Sequence, residues 1–205
     1  MSNVCHKCGR QLMRYNILTE SNCTQSTACP VCAGMQIQHI KDANERVLEH
    51  RFDAQGVPKR FRSATLSDEH MQFVGVDDVL SGANGIYFIG DAGVGKSWLT
   101  VAWMRHFVLD GEKCLYINWS DVMVKLRMDV KMYEEYKRRA EHYDYIFIDD
   151  FDATCSYMYD FVYNFVNTLY NAPKITFFNS IELPTQNKLA MRIGEMTKQV
   201  KLVTR

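Results

Sequence analysis

Residues 90–97, Gly-Asp-Ala-Gly-Val-Gly-Lys-Ser, decide the fold of this chain. They fill every fixed position of G-x-x-x-x-G-K-[ST], and the residue types follow from what such a loop holds. Glycines let the backbone curl so that successive N–H groups point inward at phosphate oxygens. Lys96 is expected to reach the β- and γ-phosphates of a nucleotide and Ser97 to ligate Mg²⁺. The helix that follows presents its positive end. Gly90, Asp91, Ala92, Gly93, Val94 and Gly95 make up the rest of the cradle. The context fits, because the loop sits between a glycine-bounded apolar run, GIYFIG (85–90), and a helical pattern, SWLTVAWMRHFVLDG (97–111), that stops at Gly111.

Outward from the loop, strand and helix patterns alternate. KCLYINW (113–119) reads as a second strand, with Ser120 as N-cap of the helix after it. KMYEEYKRRAEH (131–142) is a polar helix, YIFIDD (145–150) a strand, and SYMYDFVYNFVNTLYNA (156–172) a helix with aromatics on most faces. KITFFNS (174–180) is another strand, and LAMRIGEMTKQV (189–200) reads as the final helix. Helices between parallel strands imply a doubly wound α/β sheet with its ligand at the carboxyl ends of the strands.

Those ends carry the remaining chemistry. In YIFIDD, four apolar residues deliver Asp149 to the end of a strand as the magnesium-side acid, and Asp150 is placed to orient or deprotonate an attacking water. KITFFNS ends in Asn179 and Ser180. Asn179 is the better candidate for sensing the γ-phosphate, Ser180 the alternative, and strand alternation lets only one of them face the site. Arg192 lies among Leu189, Met191 and Ile193. It reads either as an arginine supplied to a neighbouring subunit's transferring phosphate or as a solvated helix residue. A guanine-reading N-K-x-D is absent, the nearest string being Asn187-Lys188-Leu189-Ala190.

Composition bounds the rest. The 205 residues are 47% hydrophobic and carry 24 basic and 24 acidic side chains, so a globular chain with no net cationic field is expected. Nucleic-acid contact then needs a local patch. Arg60, Arg62, Lys125, Arg127, Lys131, Lys137, Arg138 and Arg139 are candidates for a strand-tracking groove or for a solvated face. No apolar run is long enough to cross a bilayer, and the start MSNVCHKCGR has no signal-peptide core, so a soluble cytoplasmic protein is expected.

Five of the seven cysteines fall in the first 32 residues. Cys5-x-x-Cys8 and Cys29-x-x-Cys32 are two knuckles whose spacing suits a four-cysteine structural zinc ribbon, with Cys23 and His6 as bystanders or, alternatively, substitute ligands. Paired knuckles flanking a loop argue against a redox motif, which would be one pair opening a helix. Three regions are therefore expected: a zinc ribbon over 1–34, a connecting helix over 35–55, and a nucleotide-binding domain over 56–205. Cys114 and Cys155 lie in segments that read as buried core.

Taken in order, these motifs resemble the DnaC/DnaI-type replicative helicase loaders and the related IstB-like transposition ATPases, within the AAA+ class. GVPKRFRSATLSD (56–68) is similar to the segment that precedes the nucleotide fold in that family and lies near the adenine. GIYFIGDAGVGKSWLTVAWM, KCLYINWSDVMVKLR and YDYIFIDDF resemble its phosphate loop, second strand and acidic strand, and the MRI around Arg192 resembles its arginine-finger segment. The third strand departs, reading Phe178-Asn179-Ser180 where the family commonly has Ser-Asn or Thr-Asn, and only 13 residues follow Arg192, leaving little room for a lid. The resemblance implies an AAA+ ATPase that uses ATP, Mg²⁺ and Zn²⁺ and has slow turnover stimulated by DNA or oligomerisation. It implies assembly into a multimer, a grip on single-stranded DNA and delivery or opening of a hexameric helicase. It favours protein docking for the zinc module. An IstB-like helper acting on duplex DNA is the alternative, and a P-loop kinase or an ATP-switched adaptor stands further off.

Overall fold

The computed structural model describes residues 15–19, 22–26, 30–66, 85–153, 158–172 and 174–203. The chain divides into two compact units, Met1–His50 and Arg51–Arg205. In the first, β1 (Tyr15–Thr19) and β2 (Asn22–Ser26) pair antiparallel as a hairpin. A 26-residue helix, α1, runs over Pro30–Gln55. It starts at residue 30 where the sequence suggested 35, with proline at a first-turn position whose missing N–H costs nothing. It ends at Gly56, whose φ of 71° is the left-handed stop that glycine adopts freely.

Among the described residues, the second unit is built on five parallel strands: β3 (Gly85–Ile89), β4 (Cys114–Asn118), β5 (Tyr145–Asp149), β6 (Ile175–Ser180) and β7 (Thr197–Lys201). Their order across the sheet is β4-β5-β6-β3-β7. Between them run α2 (Lys96–Leu109), α3 (Trp119–Met128), α4 (Met132–Glu141), α5 (Tyr159–Tyr170) and α6 (Asn187–Met196). The strand carrying the phosphate loop is thus internal, flanked by β6 and β7, and both of its faces are buried.

The two faces of the sheet are covered differently. On one, Phe147 and Phe177 stack at 4.7 Å and meet Trp103 and Phe107 of α2. On the other, Leu115, Ile117, Ile146, Ile148 and Phe178 form one cluster with side chains from α3 to α6. In α5 the buried residues are Val162, Phe165, Val166 and Leu169, a single i, i+3, i+4, i+7 stripe. Its tyrosines lie off that stripe, so aromatics do occupy several faces of the helix while one face carries the core. Gly85 marks the closest approach between strands, since a Cβ there would lie 1.6 Å from the Thr176 carbonyl oxygen.

Two local expectations are corrected. The N-cap of α3 is Asn118, not Ser120: the Asn118 side chain accepts the Asp121 N–H at 3.0 Å, so the helix begins at Trp119. The final helix does not continue to residue 200. It ends at Met196, and Thr197–Lys201 turn into β7 alongside β3. Polar Thr-Lys-Gln carries no strand alternation. Thr197 and Val200 are buried only because an edge strand can expose the residues between them. Cys114 is buried, and burial pushes its thiol up to about 12. Among the described residues no helix is long and apolar enough to cross a membrane.

Candidate nucleotide site

β3 delivers the chain to Gly90, whose N–H donates to the Ser180 carbonyl, while Leu202 N–H donates to Ile89 O at 2.7 Å. A Cβ on Gly90 would lie 2.5 Å from the Leu202 carbonyl oxygen, so glycine is required for this close approach. Gly93 (φ 86°) and Gly95 (φ 95°) take left-handed conformations that curl the loop. Gly95 caps α2 with no side-chain bond, which leaves the first-turn amides of a 14-residue helix for a ligand. The Lys96 ammonium donates to the carbonyls of Gly90 (2.7 Å) and Asp91 (2.8 Å). An ammonium has three donors, so one remains for a phosphate.

The loop opens on a cleft of about 820 Å³ lined by Ala92, Gly93, Gly95, Lys96 and Ser97 on one side. Asp150, Asp152, Ser180 and Glu182 lie elsewhere along its wall. Asp149 is 2% exposed and does not line the cleft. Its Oδ2 accepts the Tyr116 hydroxyl at 2.6 Å, and its Oδ1 accepts the Asn179 side-chain N–H and the Asp150 N–H. Burial and the adjacent Asp149 carboxylate push the Tyr116 phenol far above its ordinary range, so it is a permanent donor.

Asp150 projects from the strand end with φ 54°, the one positive φ outside glycine among the described residues. Its N–H donates to the Asn179 Oδ1 at 2.8 Å. Partial desolvation first, and Asp149 second, hold its carboxyl above the usual range against the opposing pull of Lys96 and Arg60.

Both residues at the end of β6 are engaged. Asn179, fully buried on the α2 face, holds Thr100, Asp149 and Asp150 together, while Ser180 on the opposite face lines the cleft. Strand alternation correctly separates them. Only one of them faces the cleft, as alternation requires, and it is Ser180 rather than Asn179, whose side chain meets the two acids from behind.

Arg192 does not line this cleft. Its Nε donates to the Tyr163 hydroxyl at 3.2 Å, and its guanidinium lies 4.6 Å from the Tyr170 ring centroid. Several of the basic residues have partners of their own. Arg60 stands over the Phe61 ring at 4.4 Å and lines the cleft. Arg62 pairs with Asp53 at 2.6 Å, and Arg139 bonds Gln55 beside the Tyr136 ring. The resemblance put residues 56–68 near the adenine, while the residues themselves suggested nucleic-acid contacts for Arg60 and gave no role to Phe61, Trp98 or Tyr116. The 3₁₀ turn Lys59–Phe61 does bring Arg60 and Phe61 to the wall of the cleft.

No protein-family model and no curated protein matches the sequence. Solved structures do match the fold. DnaI matches with a TM-score of 0.62 and 18% identity over 73% of this chain and 93% of that one. The DnaC helicase loader matches at 0.52 and 17% over 71% and 100%. The chain has the AAA+ fold. DnaA bound to AMPPCP and single-stranded DNA shares it at 0.54 and 20%, over 63% of this chain and 44% of that one. The expected P-loop AAA+ sheet is therefore present, and β7 completes it at the edge beyond β3.

The oxygen donors beside the loop suit Mg²⁺. Ser97, Asp149 and Asp150 are all oxygen donors, the kind this hard cation takes, and among the described residues neither carboxylate has a salt-bridge partner. Cys5, Cys8 and Cys29 lie outside the described residues, as does the side chain of Cys32.

Proposed function

We propose that this chain is an ATP-hydrolysing helicase loader of replication initiation that binds single-stranded DNA and a ring helicase. The observation that carries the reading is the pairing of the Lys96 loop with Asp149, Asp150 and Asn179 at the carboxyl ends of a sheet whose solved likenesses include DnaI and the DnaC loader. The loop amides and Lys96 bind the phosphates, and Phe61 and Trp98 offer ring faces for the base. Mg²⁺ would be held through Ser97, backed by Asp149, and would supply neutralisation of charge across the phosphates. Asp150 accepts a proton from the attacking water, Asn179 fixes Asp150 for that task, and Arg192 serves the cleft of a neighbouring copy.

The test is ATP turnover by the intact protein with and without single-stranded DNA, alongside co-purification with a replicative helicase. We expect DNA to raise turnover and the helicase to be retained with ATP. Lys96→Ala should weaken nucleotide binding by about 100-fold, in line with the loss of a charge-assisted phosphate contact of about 2–3 kcal/mol. Turnover stimulated by duplex but not single-stranded DNA, without helicase retention, would transfer the protein to the transposition-helper reading.

We further infer a structural zinc ion on Cys5, Cys8, Cys29 and Cys32. In its favour, the β1–β2 hairpin lies between the two knuckles and α1 begins at the second. That start also removes one ground against a redox pair, since Cys32 does open a helix; the second knuckle is what keeps zinc ahead. Elemental analysis of the purified protein should find one zinc per chain, lost with the fold of this unit on chelation. A metal-free, folded protein would sink the assignment.

A further inference from the structure

We propose that Tyr116 is a positioning residue of the nucleotide site, its hydroxyl setting the orientation in which the Asp149 carboxylate meets the metal. This rests on the ATPase reading above. Asp149 ends β5, and its neighbours in the sheet grip it from both sides: Tyr116 of β4 holds Oδ2, and Asn179 of β6 holds Oδ1. Tyr116 and Asp149 are 3% and 2% exposed, so no water replaces a lost donor there. The register makes the geometry reproducible. Asn118 sits opposite Asp149, which places Tyr116 two residues back on the same face of the sheet, within reach of the acid. With both oxygens held, the carboxylate cannot swing, and a bound metal would meet a preset acceptor.

Tyr116→Phe removes only the hydroxyl. The measurement is equilibrium binding of a fluorescent ATP analogue to the intact protein, titrated with MgCl₂ and repeated in EDTA, with thermal melting alongside. We expect the half-saturating Mg²⁺ concentration to rise about 10-fold, the range found when a partner behind a metal ligand is removed. Metal-free nucleotide affinity should stay within about two-fold and melting within about 5 °C of wild type. An unchanged or lowered Mg²⁺ requirement overturns the proposal. So does an equal loss of affinity in EDTA, which would mean a loosened pocket, or loss of the melting transition, which would mean that the hydroxyl serves the core. A wild-type protein that binds no nucleotide removes the ATPase reading, and this proposal with it.

Discussion

Arg192→Ala will lower ATP turnover by the assembled protein about 1,000-fold while leaving ATP binding at the wild-type level. Among the described residues, the cations lining a chain's own cleft are Lys96, engaged with the loop carbonyls, and Arg60 beside Phe61. Charge that develops on the transferring phosphate needs a further donor, and one supplied from outside acts only in an assembly. Arg192 suits that role because it lies away from its own cleft on α6, held by Tyr163 and Tyr170 of α5. Those rings keep an extended guanidinium at the surface of the pair α5–α6 without neutralising its charge. Mixing separates the supply of an arginine in trans from local damage. Arg192→Ala and Lys96→Ala chains are each inactive alone, but mixed rings contain some sites with an intact loop and an intact neighbouring arginine, so turnover should return in part. Normal turnover by Arg192→Ala, or no recovery on mixing, defeats the idea of a donated arginine.

How much of this was legible in the sequence depends on where each signal lay. The loop over 90–97 and the strand YIFIDD announce themselves because glycine, lysine and acid types at fixed spacing have few other uses. The parallel sheet was legible from buried runs such as IYFI and YIFI, whose residues are apolar on both faces. β7 was not, because an edge strand buries only Thr197 and Val200, and TKQV continues the helical register of the residues before it. The Asn118 cap was hidden by the equally plausible Ser120 two positions on, and only the register of the β4 end decides between them. Tyr116 had no local signal at all: a tyrosine in KCLYINW reads as strand core until Asp149 from the next strand is placed beside its hydroxyl. Arg60 is the opposite case: its neighbours Lys59 and Arg62 gave it a charge pattern that suggested a strand-tracking groove, and the structure brings it to the wall of the cleft.

Asp150→Asn will reduce turnover by about 100- to 1,000-fold, the span of a lost general base, and will at the same time raise the melting temperature at neutral pH. Asparagine is the informative replacement, because it keeps the size of the side chain and tolerates the φ of 54° that would strain most residues. The activity loss follows from position: Asp150 alone of the two acids reaches the cleft, and its N–H is pinned by Asn179. The stability gain follows from linkage. Partial desolvation and the Asp149 charge raise the folded-state pKa of Asp150 above the ordinary aspartate range. A carboxyl with a raised folded pKa favours the fold while protonated, and that contribution is lost as pH rises through the folded value. At pH 7 the ionised Asp150 therefore opposes folding, and a neutral amide relieves it. The same shift places the acid limb of kcat/KM above the ordinary aspartate range in wild type and removes that limb from whatever activity the variant keeps. A variant that is both slower and less stable would mark Asp150 as a structural strand terminus. A faster-melting wild type with a slower, more stable variant is the signature of a residue kept for chemistry at the expense of the fold.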